Sequence, residues 1–237
     1  MTDVSFLLPT SRSQSHPDVL QKAIDSINAF HSDLNYEILV YSQFPVKGHN
    51  VTWIREEARL GPLAAFNTMA STIAKGEYLV CAVDDHAFTS SVRGCIDVVE
   101  GTLYRDRTHK IIGLNPNGAY LSSACPIPNK GDHMGDSIIA ERLPNAFTLR
   151  FPVVRKDTLS KYLSNHIFHP DLFYHAGDIW LGYFLYCNGE PSCEGPTSIT
   201  GIAPLKDPSH EISDCNTVYK LIKNHLAGCL SYTPTEY

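Results

Sequence analysis

A chain of 237 residues, 43% of them hydrophobic, suits one sizeable α/β domain, and it carries no low-complexity tract that would leave it disordered. Its net charge of −6, with no Lys/Arg cluster, argues against a nucleic-acid partner but leaves room for a nucleotide, which needs only a few local cations. No apolar run approaches the roughly 20 residues that span a bilayer. Met1-Thr2-Asp3 opens without the basic stretch and apolar core of a leader. The expectation is a soluble, cytoplasmic protein with no transmembrane segment.

In chain order, Val4 to Leu8 is a short apolar run ending in Pro9-Thr10-Ser11-Arg12, a strand running into a polar loop. Pro17 is a favoured first helical residue, and Leu20, Ile24, Ile27 and Phe30 then recur at helical spacing to give one apolar face. Tyr36 to Tyr41 reads as a second strand and Val51 to Ile54 as a third, so the chain opens β-α-β with a crossover expected to be right-handed. Gly61-Pro62 starts a helix whose apolar face is Leu63, Phe66, Ala70 and Ile73 and whose end is marked by Lys75. Gly76 is expected to stop it in a left-handed conformation.

Tyr78 to Val83 is a continuous apolar run of the kind buried on both faces of a parallel sheet, and Asp84-Asp85-His86 sits at its carboxyl tip. A helix follows from Ser90 through Val92, Cys95, Val98 and Val99 to near Tyr104, then a strand from Ile111 to Leu114. From Asn115 to Asn145 turn residues dominate; a loop this long inside a compact domain is usually functional, here a lid or an acceptor-binding segment. Strand character returns at Phe147 to Arg155, Asp157 is placed to cap a helix with Leu159, Tyr162 and Leu163, and Gly177-Asp178 leads into a helix with Leu181, Phe184 and Leu185. A Gly/Pro/Ser-rich connector, a strand at Ile199 to Ile202 and a helix with Val218, Leu221, Ile222 and Leu226 complete the chain. The seven cysteines are scattered and form no Cys-x-x-Cys, which disfavours zinc. Cys81 reads as a buried, reduced thiol, and Cys187 and Cys193 are near enough in sequence to bridge, though nothing requires it.

Three groups of residues carry potential chemistry. Asp84 and Asp85 lie where open α/β sheets bind ligands. Magnesium or manganese takes one or two carboxylates plus substrate phosphates, yet two acids after a strand also cap turns. On a strand, neighbouring side chains face opposite ways, so both serve one site only if the chain turns there. Asp178, after a glycine at a helix start, reads as a general base or as an N-cap. Arg12, Arg55 and Arg59 could each fork onto phosphate or simply be solvated. His169, His175 and His210 fall at no metal-ligand spacing. The chain has no Gly-x-Gly-x-x-Gly, no Gly-x-x-x-x-Gly-Lys-Ser/Thr and no Gly-x-Ser-x-Gly, which disfavours a dinucleotide site, a P-loop and a hydrolase elbow.

Several of these pieces together resemble the family 2 glycosyltransferases with the GT-A fold. The carriers are Val4 to Arg12, with its strand and Pro-Thr loop; Tyr36-Glu37-Ile38-Leu39-Val40; Gly61-Pro62-Leu63-Ala64-Ala65-Phe66-Asn67; and Ala74 to Leu79 leading to Asp84-Asp85. Further on, Phe151 to Arg155, Phe168 to Phe173 and Gly177-Asp178-Ile179-Trp180-Leu181-Gly182 match in order and spacing, so the likeness runs from Val4 to Gly189. It implies a Rossmann-like α/β fold with a mixed, mostly parallel central sheet flanked by helices. Residues 1–237 would form a single domain, 1–110 holding a nucleotide-sugar and 111–237 an acceptor hydroxyl, on a glycan or another molecule, together with the tail.

By the same resemblance Thr10 and Arg12 line the nucleotide pocket, Asp84 binds the donor, and Asp85 ligates a divalent cation, Mn2+ or Mg2+, on the donor diphosphate. Asp178 is then the base that deprotonates the acceptor for an inverting, in-line attack. The chain departs from the family at Tyr41-Ser42-Gln43, where an acid usually contacts the base, at Gly177, where the family has Glu, at Trp180, its second Asp, and at Phe66, its Arg. A third metal ligand would be a downstream histidine, with His210 the candidate. Two other readings stay open: a nucleotide-sugar-binding module that has lost catalysis, which the altered Gly177-Asp178 motivates, and a nucleotidyltransferase, disfavoured because Thr10 to Ser15 has one Arg and no Gly.

Overall fold

The computed structural model describes residues 2–58, 61–100, 111–116, 152–162, 165–172, 177, 180–181, 192–202, 220–221 and 224. Strand β1 (Val4–Pro9) is buried along its whole length, so it must be central. It pairs in parallel with β2 (Tyr36–Ser42) on one side and β4 (Tyr78–Cys81) on the other, and β2 pairs in parallel with β3 (Val51–Arg55). Beyond β4 lie β7 (Pro152–Arg155) and β6 (Ile111–Pro116), both joined by antiparallel pairing; then β8 (Ser192–Gly201), parallel to β6; then β5 (His86–Phe88), antiparallel to β8. The result is the expected mixed, mostly parallel sheet.

The two faces of β1 are divided by its period of two. Val4, Phe6 and Leu8 join Leu20, Ile24 and Ile27 of helix α1 (Pro17–Phe30) in one core. Leu7 joins Leu63, Phe66, Met69 and Ala70 in the other, from helix α2 (Pro62–Thr68) and the π-helical turn Met69–Ile73 that continues it. On the first face, helix α3 (Arg93–Val99) buries Cys95, Ile96 and Val98. Helix α4 (Lys156–Tyr162) adds Leu159 to the second. Cys81 and Cys95 are buried, and burial pushes the Cys81 thiol well up. Cys187 lies outside the described residues, as do the segment 117–150 and Asp178. The described part of the last helix includes Lys220, Leu221 and Asn224. Among the described residues no helix is long and apolar enough to cross a membrane.

Several sequence expectations need correction. Phe30 is 42% exposed: α1 ends there, and the next residue, His31, takes the buried place instead. Gly76 has no positive φ. Its constraint is space, since a Cβ would stand 2.5 Å from the Ser5 backbone nitrogen and 2.6 Å from the Val4 carbonyl carbon. Gly76 N–H donates to Ser5 Oγ at 2.8 Å, and Ser5 donates on to Glu37 Oε1 at 2.7 Å, which gives a fully buried serine both its partners. Asp157 is not a cap: α4 starts at Lys156 straight off β7, and Asp157 lies in its first turn beside Arg155. Much of the Gly/Pro/Ser-rich connector is strand β8. Three of its residues, Gly195 to Thr197, bulge between Glu194, paired with Gly113, and Ser198, paired with Asn115, and β5 covers only Ile199 to Gly201. Pro196 therefore sits where no ladder bond is asked of it.

His31 joins α1 to α3. Its Nδ1–H donates to the Ile27 carbonyl at 2.7 Å, and its Nε2 accepts the Val92 N–H at 3.1 Å, while Phe6 and Phe88 stack edge-on at 4.7 and 5.0 Å. Burial holds its pKa down to about 4, against the weaker upward pull of the Ile27 carbonyl and Asp33. The unfolded chain takes this proton near the ordinary value of 6.5 and the folded chain does not. The contribution is thus complete above that pH and is lost as pH falls toward 4. Between pH 7 and 5 the loss should be about 2 kcal/mol, read as a fall in the urea midpoint that is absent in His31→Gln. Parallel falls in both proteins would exclude His31 as the linked group.

Candidate functional site

The carboxyl ends of β1 and β4 lie side by side, with Leu7 opposite Cys81 and the Ala82 N–H bonded to the Leu7 carbonyl at 2.8 Å. β4 stops at Cys81, two residues earlier than the apolar run suggests, so Asp84 and Asp85 occupy a turn that feeds β5. That turn lets two adjacent acids serve one place. It is fixed from behind by the Ile202 N–H, which donates to the Asp85 carbonyl at 2.8 Å. Beyond β1, Thr10 N–H continues the ladder to the Tyr41 carbonyl at 3.0 Å, and Arg12 N–H donates to Thr10 Oγ1 at 2.9 Å. These bonds curl the loop toward the acids.

Four of the five sequence-derived site residues meet here. Thr10 Oγ1 donates to Asp84 Oδ2, and Arg12 Nη1 donates to Asp84 Oδ1. The same Nη1 stands 3.7 Å from Asp85 Oδ2. The fifth, Asp178, lies outside the described residues; its neighbour Gly177 is buried. Arg55 ends β3 and is exposed, and Arg59, His175 and His210 lie outside the described residues. His169 Nδ1 accepts the Asp171 N–H at 3.2 Å and its ring meets Trp180 edge-on at 4.9 Å, a structural role.

The two acids are tuned in opposite directions. Burial raises the Asp84 carboxyl, opposed by the bond from Thr10 and the charge of Arg12 and reinforced by Asp85. For Asp85 burial is again the largest single influence and acts upward, but His86, by hydrogen bond and charge, and Arg12 together outweigh it and bring the carboxyl below its ordinary value. Asp85 is the more exposed acid, its side chain 30% accessible against 10% for Asp84.

Sequence reasoning missed three features. His86, left without a role, has Nδ1 on Asp85 Oδ1 at 2.7 Å. Asn67 is a buried clamp: its Oδ1 accepts the N–H groups of Ile167 and Phe168 at 2.8 and 2.9 Å, and its Nδ2 donates to the Phe168 carbonyl at 2.9 Å. A cleft of about 490 Å³ opens at the ends of β1 and β2, lined by Ser11, Gln14, Ser15, Gln43 and Phe44. Only the cleft had a signal: the polar run after the second strand, where the resemblance calls for an acid.

No group of three or more His, Cys, Asp or Glu that could hold a metal is gathered among the described residues. Both Asp84 oxygens face protein donors, and Asp85 Oδ1 faces His86, which leaves Asp85 Oδ2 as the oxygen a cation would take. That donor set fits an ion completed by phosphate oxygens and water, as Mg2+ commonly is, and not an all-protein cage.

With this geometry in view, solved structures similar to the chain are informative. The S. aureus protein TarS, residues 1–349, matches with a TM-score of 0.58 at 15% identity, over 93% of this chain and 64% of that one. The same TarS fragment in complex with UDP-GlcNAc matches with a TM-score of 0.56. GalNAc-T7 with UDP, GalNAc and Mn2+ matches with a TM-score of 0.61 at 12% identity, over 94% and 48%. The mannosyltransferase PcManGT from Pyrobaculum calidifontis, in complex with GDP-Man and Mn2+, matches with a TM-score of 0.55 at 16% identity, over 98% and 65%. These likenesses show that the chain has the GT-A fold. It spans from 39% to 65% of the length of such matched chains. No protein-family model and no curated protein sequence matches the chain.

Proposed function

We propose that the chain transfers a sugar from a nucleoside-diphosphate sugar to an acceptor hydroxyl, as a divergent relative of the family 2 glycosyltransferases. The observation that carries this reading is the meeting of Thr10, Arg12, Asp84 and Asp85 at the carboxyl ends of β1 and β4. Ser11, between Thr10 and Arg12 in sequence, also lines the neighbouring cleft. The nucleoside occupies that cleft, with the Gln43 amide and the half-exposed Phe44 ring in place of the family's acid. Arg12 forks onto the diphosphate, and Asp84 keeps Thr10 and Arg12 in position and borders the donor's ribose or sugar. Asp85 holds the divalent ion, Mn2+ or Mg2+, which supplies neutralisation of the leaving diphosphate when bound. Asp178 takes the acceptor proton, the acceptor oxygen attacks the anomeric carbon from the face opposite the diphosphate, and the configuration inverts.

A thermal-shift screen of UDP- and GDP-sugars with Mn2+ tests the donor. At 100-fold over its dissociation constant a ligand stabilises by about 2.7 kcal/mol. No shift with any nucleotide plus metal contradicts the proposal.

One observation favours the second reading, a binding module without catalysis. A Cβ at Gly177 would lie 2.6 Å from Phe168 Cδ1 and 2.9 Å from Leu63 Cδ1, so the family's Glu would fit there only if those side chains shifted. Nucleotide-sugar binding without release of nucleoside diphosphate, across a broad acceptor panel, selects that reading.

A further inference from the structure

In the site as it stands, the cation position is already served by a side chain. The Arg12 guanidinium bonds Asp84 Oδ1 and stands 3.7 Å from Asp85 Oδ2, the same oxygen a divalent ion would take. Its side chain is only 14% accessible, and it is held twice over, by Asp84 directly and through its own N–H on Thr10, whose hydroxyl bonds the other Asp84 oxygen. His86 Nδ1–H fills Asp85 Oδ1. An ion arriving on Asp85 Oδ2 would stand beside a guanidinium whose departure would strip a buried Asp84 of its charge partner.

We infer that Arg12 is the resident counter-cation of the acid pair, so that the free protein excludes divalent metal and takes it up only together with a nucleoside diphosphate. This rests on the donor reading above. The diphosphate offers Arg12 a bidentate anionic partner and brings the oxygens that complete the ion's shell. Metal and nucleotide are then coupled ligands, and each must raise the affinity of the other by the same factor.

Titration of the full chain with Mn2+, followed by the electron paramagnetic resonance of free Mn2+ and by calorimetry, tests this. The wild type should bind Mn2+ weakly alone and at least about 10-fold more tightly with UDP or GDP present. Arg12→Met, which keeps the stem and loses the charge, should bind Mn2+ without nucleotide at least about 10-fold more tightly than the wild type. Arg12→Lys should stay closed like the wild type, and Asp85→Asn should abolish the nucleotide-linked Mn2+ uptake. Circular dichroism checks that each variant is folded. The inference is overturned if the wild type binds Mn2+ equally well with and without nucleotide, or if a folded Arg12→Met gains no Mn2+ affinity. Failure of UDP and GDP to bind in any form overturns the donor reading instead, and the nucleotide-free comparison of wild type with Arg12→Met still decides the role of Arg12.

Discussion

Asp85→Ala should lower the rate of nucleoside-diphosphate release from the donor by about 10²- to 10³-fold, the scale on which one preorganised electrostatic partner acts, while the protein stays folded. The separation is expected because Asp85 is partly exposed and its partners are a neighbouring histidine and an arginine anchored mainly on Asp84. Ion pairs this open contribute at most about 1 kcal/mol to stability. Its carboxyl lies below the ordinary range, so at neutral pH it is an anion. Asp178→Asn should lower turnover by about 10²- to 10⁴-fold, as loss of a general base does, and leave Mn2+-dependent nucleotide binding intact. Steady-state release assays beside nucleotide titrations separate the two. Full turnover in both variants would remove the assigned chemistry from these acids.

Asn67→Ala should destabilise the chain by about 3 kcal/mol or more, because three buried backbone groups lose their partner and each unsatisfied group costs about 1 to 3 kcal/mol. The site offers little relief: Asn67 is 6% exposed, Ile167 1% and Phe168 4%. Asn67→Asp keeps the acceptor for the two N–H groups but sets a buried carboxylate against the Phe168 carbonyl, so it too should be destabilised. The bond set ties α2 to the segment that runs toward Gly177, which packs on Phe168 and on Leu63 of the same helix. Urea unfolding measures the loss; an alanine variant within 1 kcal/mol of wild type, against the scale for one unsatisfied group, would mean that water replaces the clamp.

The elements legible in the sequence are those whose signal is local. β1, α1, β2, β3 and α2 each carry their own apolar run or apolar face, and each forms close to where those residues put it. The misplaced features depend on partners far along the chain. His31 is buried because Val92 and Phe88 come to it, Gly76 is needed because β1 passes within contact, and β8 is a strand because β6 supplies its ladder. The site follows the same division. Arg12, Asp84 and Asp85 could be picked from residue type and place at strand ends, and Thr10 from the family resemblance, but their pairing could not, since 72 positions separate Arg12 from Asp84. The relatives in fold share only 12% to 17% identity, because hydrophobic alternation and strand order tolerate wide substitution.

The proposed chemistry requires one arrangement, a nucleoside diphosphate held by the loop after β1 and the turn after β4. Crystals of the full chain grown with UDP or GDP and Mn2+ test it most directly. The nucleoside should lie in the cleft of Ser11, Gln14, Ser15, Gln43 and Phe44, the diphosphate on Arg12, and the ion on Asp85 Oδ2 with phosphate oxygens completing its shell. A nucleotide seated away from the carboxyl ends of β1 and β4, or an ion that does not touch Asp85, would contradict it.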